Sequence, residues 1–423
     1  MRLWIDVHLT RVPAYFRLQC TFMAWPWTDM ADGSSLLTML LHGIFPPVTT
    51  PFYPDGRVYL KKLEHNVDRY SKTPAAGLVV LGSTGEAIML SDDERREVLA
   101  VAREACAPHK VLIAGTGAES ALETLRLTEY AAELGYDVAL VRTPHFYRPQ
   151  MQPANLLTFY RTVADRSPIP VLIYSVPVFT NYDMPEELIV ELASHPNIIG
   201  IKESSGDVEK VRRMAIATKH IKRAATVTET FAAVTPRMLK AATPEISATE
   251  LISVGALTGA TVDRGGTGAL ADPALSDAAG ESRTGATKQS SPVPSSAAVT
   301  VRSGLKTRQK EVGFQILAGT AQRLHPCLEA GADGGVLAFS DPAPTACYEI
   351  YAAWREGDAE LAKLKQERVS KAATRVASQL GIPGLKYALD LNGYYGGPPR
   401  LPLLPLTADL KREVEELMSD LRN

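Results

Sequence analysis

The sequence predicts an α/β protein built as an eight-stranded (β/α)8 TIM barrel, and three observations lead to that prediction. Short apolar runs alternate with amphipathic helical patterns, which is typical of a parallel sheet covered by helices. Six such strand–helix units precede residue 220, and two more follow residue 310. A doubly wound sheet is the competing architecture, but no Gly-x-Gly-x-x-Gly motif opens the first helix, so a dinucleotide-binding fold has little support.

The predicted elements follow one another in a regular order. The strands cover residues 44–50, 77–81, 111–114, 138–141, 170–174, 198–201, 313–319 and 334–339. The helices between them cover residues 59–70, 92–105, 122–134, 156–164, 185–193, 208–220 and 321–330. The first helix places Leu60, Leu63 and Val67 on one face. Ser91-Asp-Asp-Glu94 is a capping-box signature at the start of the second helix.

The chain is expected to contain additions to this barrel. We predict an N-terminal extension over 1–42, barrel units one to six over 43–220, a low-complexity insertion over 221–310, and units seven and eight over 311–341. Residues 342–423 read as the last barrel helix and a helical C-terminal addition, with helices over 343–354, 358–380, 383–391 and 408–421.

Composition identifies the extension and the insertion as separate from the barrel. The extension holds three of the four tryptophans at irregular spacing. The insertion is rich in Ala, Thr, Ser and Gly, and Phe231 is the only aromatic residue in 224–310. Because such a segment buries little apolar surface, we expect it to be mostly disordered. It joins helix six to strand seven at the bottom of the barrel, whereas barrel active sites lie at the top.

Charge, hydropathy and cysteine usage exclude several classes of function. The net charge is −2, from 45 basic and 47 acidic residues, so no nucleic-acid footprint is expected. No apolar run approaches the length of a membrane span. The four cysteines are scattered and form no Cys-x-x-Cys pair, which favours a reducing compartment and argues against a zinc site or a disulfide framework. We expect a cytoplasmic protein, with the mitochondrion as the alternative location.

The residues with chemistry lie at predicted strand ends. Lys202 ends the apolar run of strand six and is followed by Glu203-Ser-Ser-Gly-Asp207, a turn and helix cap. Burial of a lysine favours the neutral amine, which is the form that attacks a carbonyl group. An ordinary lysine that leaves the core is the simpler explanation of this segment on its own.

Other strand ends make that simpler explanation less attractive. Strand two ends in Gly82-Ser-Thr-Gly-Glu86, whose hydroxyls and backbone N–H groups suit a carboxylate. Strand five ends in Tyr174, and strand four in His145, Phe146 and Tyr147. A lysine, a tyrosine and a carboxylate-binding turn are what a Schiff-base enzyme acting on a 2-oxo acid requires. Each feature on its own also has a purely structural interpretation, but their joint placement at successive strand ends favours the functional one.

Three motifs carry a family resemblance. Gly82-Ser-Thr-Gly-Glu86, Tyr174-Ser-Val-Pro177 and Gly200-Ile-Lys-Glu-Ser-Ser-Gly-Asp207 resemble the dihydrodipicolinate synthase / N-acetylneuraminate lyase superfamily of class I aldolases. The resemblance covers about 43–220 and 311–406. Within the superfamily the chain looks most like 4-hydroxy-2-oxoglutarate aldolase, on Tyr-Ser-Val-Pro and on the C-terminal runs 381–386 and 393–400.

The resemblance implies roles for individual residues. Lys202 is expected to form the Schiff base, and Tyr174 to relay protons. Ser83 and Thr84, with Gly85, are expected to hold the pyruvate-type carboxylate. The further candidate substrate-binding residues are His145, Tyr147 and Gly319. We expect a homo-oligomer, a tetramer or a dimer, that binds a small 2-oxo acid and uses no cofactor.

Two departures from the synthase pattern guide the choice of reaction. Phe146 stands where synthases carry a tyrosine that reaches into the neighbouring subunit's site, and Tyr147 is the candidate replacement. Phe179 stands where they carry an arginine for the second substrate's carboxylate. Loss of that guanidinium removes bidentate carboxylate recognition. These departures favour an aldolase that cleaves a 4-hydroxy-2-oxo acid or a 2-keto-3-deoxy sugar acid to pyruvate, or to glyoxylate plus pyruvate.

Two alternatives remain at this stage. One is a synthase-type condensation of pyruvate with an aldehyde, on the same scaffold. Another is a catalytically silent relative that only binds 2-oxo acids. A metal-dependent aldolase is set aside, because it needs several ligands at strand ends and only His145 among the eight histidines lies at one.

Overall fold

A computed structural model describes residues 39–242, 300–302 and 304–421. Eight parallel strands form one sheet in the spatial order β1-β11-β10-β6-β5-β4-β3-β2. Their bounds are β1 Gly43–Ile44, β2 Gly77–Val80, β3 Val111–Gly115, β4 Val138–Arg142, β5 Val171–Ser175, β6 Ile198–Glu203, β10 Gln315–Ala318 and β11 Gly334–Gly335. The numbering includes three further strands, β7 Arg223–Thr228, β8 Thr300–Arg302 and β9 Leu305–Val312, which form a separate antiparallel sheet.

The parallel sheet closes on itself, so the predicted (β/α)8 barrel is confirmed. The segment after β1 joins β2 through a parallel bridge between Pro47 and Val79. Val48 N–H donates to Val79 O at 2.9 Å, and Val79 N–H donates to Pro46 O at 2.9 Å. Closure brings the carboxyl ends of all eight strands to one rim, which is where barrel active sites lie.

Helices lie on the outside of the barrel and at its two ends. They are α1 Leu60–Ser71, α2 Asp92–Ala105, α3 Ala121–Leu134, α4 Pro153–Arg166, α5 Pro177–Thr180, α6 Glu186–Ala193, α7 Val208–Ala217, α8 Pro236–Ala242, α9 Leu324–Glu329 and α10 Pro344–Arg355. The capping box predicted at α2 is present: Ser91 Oγ accepts from Glu94 N–H, and Glu94 Oε2 accepts from Ser91 N–H. Asp207 caps α7 by accepting from Glu209 N–H and Lys210 N–H.

The predicted C-terminal helical addition is also present. It consists of α11 Ala359–Ala372, continued by a π-helical stretch Ala373–Gln379, then α12 Gly381–Leu391 and α13 Ala408–Met418. Val376, Leu385, Ala388, Val414 and Met418 are buried and belong to the same apolar cluster as the strands and helices of units four to eight. The addition is therefore packed against the barrel, and the segment after α12 reaches the β2 end of the site.

Two predicted boundaries are wrong where the structure describes them. Met39, Leu40 and Leu41 were assigned to the extension, but they are buried with Val111, Val138 and other residues of the barrel interior. The side chain of Gln315 holds them, because its Nε2 donates to Met39 O at 2.9 Å and its Oε1 accepts from Leu41 N–H at 2.6 Å. Residues 1–38 lie outside the described residues.

The second correction concerns the insertion. Its two ends are strands: β7 pairs with β9 from Arg223↔Val312 to Thr228↔Thr307, and β8 pairs with β9. Ala225 and Val227 of β7 are buried in the barrel interior cluster together with Val312. Pairing between residues 79 positions apart, as for Thr228 and Thr307, is not visible in local composition, so the prediction failed there. Residues 243–299 lie outside the described residues.

None of the helices within the described part of the chain combines the length and hydropathy needed to cross a lipid bilayer.

Candidate active site

Lys202 and Tyr174 lie side by side at the top of the barrel. The parallel pairing of β5 with β6 places Tyr174 opposite Lys202. Lys202 is 5% exposed, and its Nζ lies 4.0 Å from the centroid of the Tyr174 ring. An amine over an aromatic face in a nearly closed site is shielded from bulk water. The structure therefore brings together the two residues expected to carry the chemistry.

The turn after β2 completes this group. Ser83–Gly85 form a single 3-10 turn, and the Ser83 hydroxyl lies 3.1 Å from the Tyr174 hydroxyl. Thr84 is buried. The carbonyl of Gly85 accepts a hydrogen bond from Thr50 Oγ1 at 2.6 Å. The hydroxyl pair of Ser83 and Tyr174 thus links the predicted carboxylate turn to the predicted proton relay.

A cavity of about 490 Å³ opens beside Ser83 and Tyr174. The residues that line it include Thr116, Gly117, Arg142, His145 and Phe146, together with several further charged residues: Asp92, Arg95, Arg96, Glu119, Glu123 and Arg126. This volume is within the range of small-molecule sites and leaves room beyond a three-carbon unit.

Arg142 and Glu119 are functional candidates that the sequence reasoning missed. Strand β4 covers the predicted residues 138–141 and ends at Arg142, so His145, Phe146 and Tyr147 lie in the loop that follows it. Arg142 Nη1 donates to Glu119 Oε1 at 2.8 Å and lies 2.8 Å from His145 Nδ1. Arg142 pairs with Tyr174 in the β4–β5 register, so the two residues lie at the same height in the barrel. This relation is visible only once the register of the strands is known.

Glu119 connects this cluster to the loop. Its Oε2 accepts from His145 N–H at 2.9 Å and from Phe146 N–H at 3.0 Å. Burial on its own would raise the pKa of Glu119, but the N–H groups of Phe146 and His145 and the Arg142 guanidinium lower it overall. The carboxylate therefore stays ionised and balances the charge of Arg142.

Tyr147 is not brought into this cavity. Tyr147 is 67% exposed and packs edge-on against Phe146, which is 75% exposed and lines the cavity. Within one chain, the Tyr147 hydroxyl is therefore not placed as a substitute for the one that Phe146 lacks. Phe179, in the short helix after β5, is 64% exposed.

Gly319 lies where β10 passes β6. Its N–H donates to Glu203 O at 2.7 Å. A Cβ atom at Gly319 would lie 1.9 Å from Ser204 Oγ, so only glycine allows the two segments to approach this closely. The structure thus places Gly319 behind the Lys202 segment, as a packing residue.

The residue after Lys202 is held by buried charge. Glu203 Oε2 lies 3.1 Å from Lys210 Nζ, and Glu203 Oε1 accepts from Ser205 N–H at 2.6 Å. Lys210 also contacts Asp183 at 2.5 Å. Burial would lower the pKa of Lys210, but these two carboxylates raise it. The pairing stabilises the turn that follows Lys202.

In the described ranges 39–242, 300–302 and 304–421, no group of three or more His, Cys, Asp or Glu side chains is arranged to hold a metal ion.

The fold and the site together define a class of protein: (β/α)8 barrels with a buried lysine and a buried tyrosine side by side at the ends of adjacent strands. The family model described as the dihydrodipicolinate synthetase family matches residues 40–253 and 296–421. The chain belongs to that family.

Curated relatives support the membership. The chain is 32% identical over 376 residues to the 4-hydroxy-tetrahydrodipicolinate synthase of Exiguobacterium sp.. That alignment covers 89% of this chain and 96% of the Exiguobacterium protein. It is 39% identical over 175 residues to the 4-hydroxy-tetrahydrodipicolinate synthase of Methanosarcina barkeri, covering 41% of this chain and 59% of that protein. In that second comparison the chain spans less than two thirds of its relative.

Solved structures share the fold. A putative dihydrodipicolinate synthetase from Pseudomonas aeruginosa superimposes with a TM-score of 0.64 at 22% identity, over 90% of this chain and all (100%) of that one. A putative dihydrodipicolinate synthase family protein from Coccidioides immitis gives a TM-score of 0.61 at 21% identity, over 91% and 97%.

Proposed function

We propose that this protein is a pyruvate-dependent class I aldolase in which Lys202 forms the Schiff base. The observation that carries the proposal is the contact between Lys202 and Tyr174, with the Tyr174 hydroxyl 3.1 Å from Ser83 in the turn after β2. One buried amine, one relay hydroxyl and one carboxylate-binding turn are the parts that this chemistry requires. Family membership adds support, because the family is one of lyase-type enzymes.

The steps follow from these positions. The Lys202 amine adds to the C2 carbonyl of the 2-oxo acid, and loss of water leaves an iminium ion. The iminium accepts the electron pair of the C3–C4 bond as that bond breaks, while the 4-hydroxyl loses its proton through Tyr174 and becomes the carbonyl of the departing aldehyde. The resulting enamine takes up a proton at C3, and water then hydrolyses the imine to release pyruvate and the free lysine.

The substrate that we favour is a 4-hydroxy-2-oxo acid or a 2-keto-3-deoxy sugar acid. The cavity beside Tyr174 holds a guanidinium already paired with a carboxylate, which presents both donors and acceptors to hydroxyl groups. Phe179 stands at the position where a synthase is expected to carry an arginine, and the motif Tyr174-Ser-Val-Pro177 resembles that of 4-hydroxy-2-oxoglutarate aldolase. Together these features favour cleavage of a hydroxylated chain.

A second candidate is the condensation of pyruvate with an aldehyde, as in a 4-hydroxy-tetrahydrodipicolinate synthase. The observation that favours it is the name carried by the curated relatives, including the Exiguobacterium protein that aligns over 96% of its length. Both candidates share the imine with pyruvate and differ in the aldehyde, so one experiment can test the shared step and a second can separate them.

The shared step is tested by borohydride reduction in the presence of pyruvate, followed by intact-mass and peptide mapping. We expect a reduced pyruvyl adduct on Lys202 of the parent and none on Lys202→Ala. No adduct on folded parent protein would favour a silent relative. Incubation with 4-hydroxy-2-oxoglutarate or a keto-deoxy sugar acid, with pyruvate release as the readout, then separates cleavage from condensation with aspartate semialdehyde.

We also propose that the chain is a homo-oligomer. Exposed apolar side chains lie at the carboxyl ends of β2, β4 and β5, namely Ile88, Phe146, Tyr147, Val178 and Phe179. A second copy that covers them would remove this surface from water. Light scattering on the purified protein gives the mass, and a monomer at micromolar concentration would overturn the proposal.

A further inference from the structure

The turn after β2, which lines the cavity with Gly82 and Ser83, ends in a buried glutamate. Glu86 is the last residue of Gly82-Ser-Thr-Gly-Glu86 and adopts a left-handed backbone conformation, with φ of 53°. Residues other than glycine seldom adopt this conformation, and it persists where surrounding contacts hold it. The side chain of Glu86 is 1% exposed, so the contacts that hold it lie inside the protein.

Those contacts come from the C-terminal addition. Lys386 of α12, also 1% exposed, places Nζ 2.6 Å from Glu86 Oε1. Arg400, in the segment after α12, donates its backbone N–H to Glu86 Oε2 at 2.9 Å. Both carboxylate oxygens of Glu86 are thus contacted by residues that lie 300 (386 − 86) and 314 positions later in the chain.

The same lysine supports the other side of the turn. Lys386 Nζ donates to Thr50 O at 2.8 Å and to Pro398 O at 3.0 Å. Thr50 in turn donates its hydroxyl to Gly85 O at 2.6 Å. Lys386 therefore fixes two consecutive residues of the turn, Glu86 directly and Gly85 through Thr50.

The guanidinium of Arg400 secures the outer end of this loop. It donates to Met89 O at 2.8 Å and pairs with Glu94 at 2.6 Å. The buried pair of Glu86 and Lys386 calls for an explanation other than stability, because a buried ion pair contributes little net stability compared with apolar packing. This pair joins the C-terminal addition to the turn that carries Ser83.

We propose that Glu86 and Lys386 form a positioning pair, through which the C-terminal addition sets the geometry of the carboxylate-binding turn. This inference rests on the proposed function, since it assigns the pair to the binding of the 2-oxo acid carboxylate. Neither residue touches the reacting atoms. Loss of the pair should weaken 2-oxo acid binding and leave the imine-forming step at Lys202 intact.

The test is Glu86→Gln, with Asp137→Asn as the matched control. Asp137 is likewise buried and ion-paired, with Arg237 at 3.2 Å, but it precedes β4 at the opposite end of the barrel. The fraction of protein trapped by borohydride is measured against pyruvate concentration. For Glu86→Gln we expect the half-saturating concentration to rise about tenfold or more, with the trapped fraction at saturation unchanged. Asp137→Asn should lower the melting temperature and leave the half-saturating concentration within twofold of the parent.

A milder variant keeps the test decisive if Glu86→Gln does not fold. Thr50→Val removes only the hydroxyl that donates to Gly85 O, and we expect a rise of about threefold or more in half-saturating pyruvate. Half-saturation within twofold of the parent in every soluble variant would overturn the proposal and leave the pair a purely structural contact.

Hydrogen exchange separates failure of this inference from failure of the proposed function. Amides of residues 82–89 should exchange faster in Glu86→Gln than in Asp137→Asn, with or without pyruvate. If the parent forms no imine but this difference is present, the proposed function fails and the positioning role stands. If the parent forms the imine and the difference is absent, the positioning role fails alone.

Discussion

The two ends of the barrel use buried charge differently. At the top, buried Lys202 lies against Tyr174 and the cavity is next to it, while the buried pair of Glu86 and Lys386 holds the adjacent turn. At the bottom, Arg237 of α8 pairs with Asp137 and donates to the carbonyls of Gly135 and Lys110.

Apolar contacts complete the contrast. Residues 39–41, β7 and β9 bury Leu41, Val227 and Val312 in the lower barrel, so that end is closed. The top carries exposed aromatic side chains and a cavity of about 490 Å³. The same eight strands thus hold reactive groups at one end and a sealed core at the other. Substitutions at the top should change chemistry, and substitutions at the bottom should change stability.

The largest expected effect is at the top. Tyr174→Phe should lower the turnover number by about two to four orders of magnitude, because it removes the proposed proton relay. The melting temperature should change little, since the ring and its contact with Lys202 are kept. Steady-state pyruvate release and differential scanning fluorimetry measure the two quantities. Turnover at the parent rate would exclude Tyr174 as the relay.

At the bottom, Arg237→Met should lower the free energy of unfolding by about 3 kcal/mol, because it leaves the Asp137 carboxylate buried without its partner. Burial already raises the pKa of Asp137 to about 6, against the opposing effect of Arg237. An acid whose folded-state pKa is raised loses stability as pH rises through the interval between its unfolded and folded values.

The deficit of Arg237→Met should therefore grow as pH rises above about 6, because the parent ionises Asp137 beside Arg237 there and the variant has no cation to favour the ionised form. Urea unfolding at several pH values measures it. Pyruvate trapping per folded molecule should match the parent, and a large loss of trapping would mean that the two ends are not independent.

A smaller effect is expected at the outer edge of the top. Arg400 lowers the pKa of Glu94 to about 2, against the opposing effect of burial. The contribution of this pair is present above the unfolded pKa of about 4.5 and is lost as pH falls towards 2. Glu94→Gln should cost about 1 kcal/mol at pH 7, and the difference from the parent should shrink on acidification. Thermal unfolding from pH 7 to pH 3 tests this, and a pH-independent difference would contradict it.

The smallest effect is expected from excision of residues 243–299. Composition predicts that this segment contributes no core, whereas β7 and β9 on either side do pack. Gly304 lies close to the end of α8, because a Cβ atom on it would be 3.4 Å from Ala242 O. A linker of about six Gly and Ser residues should therefore replace the segment with the melting temperature and turnover nearly unchanged. Excision of 224–310 is the contrasting variant, and it should destabilise the protein because it removes both strands.

Much of the fold could be predicted from the sequence because the patterns that specify it are local. Buried parallel strands appear as apolar runs, and helices appear as a 3.6-residue period with caps such as Ser91 and Asp207. Lys202, Tyr174 and Ser83 could be selected because each ends a strand, and the ends of parallel strands share one rim of a barrel. The barrel class was therefore determined by the sequence alone, and the roles of these three residues stay a prediction that the sequence made.

Contacts between distant segments were decided only by the tertiary structure. The antiparallel pairing of β7 with β9, the burial of residues 39–41, and the partnership of Glu86 with Lys386 each join parts of the chain that are far apart in sequence. Arg142 directly follows the predicted strand four, but its contacts with Glu119 and His145 depend on how the loops meet in the folded protein. A sequence shows residue types and periods along one dimension, whereas burial and charge pairing depend on which surfaces meet in three.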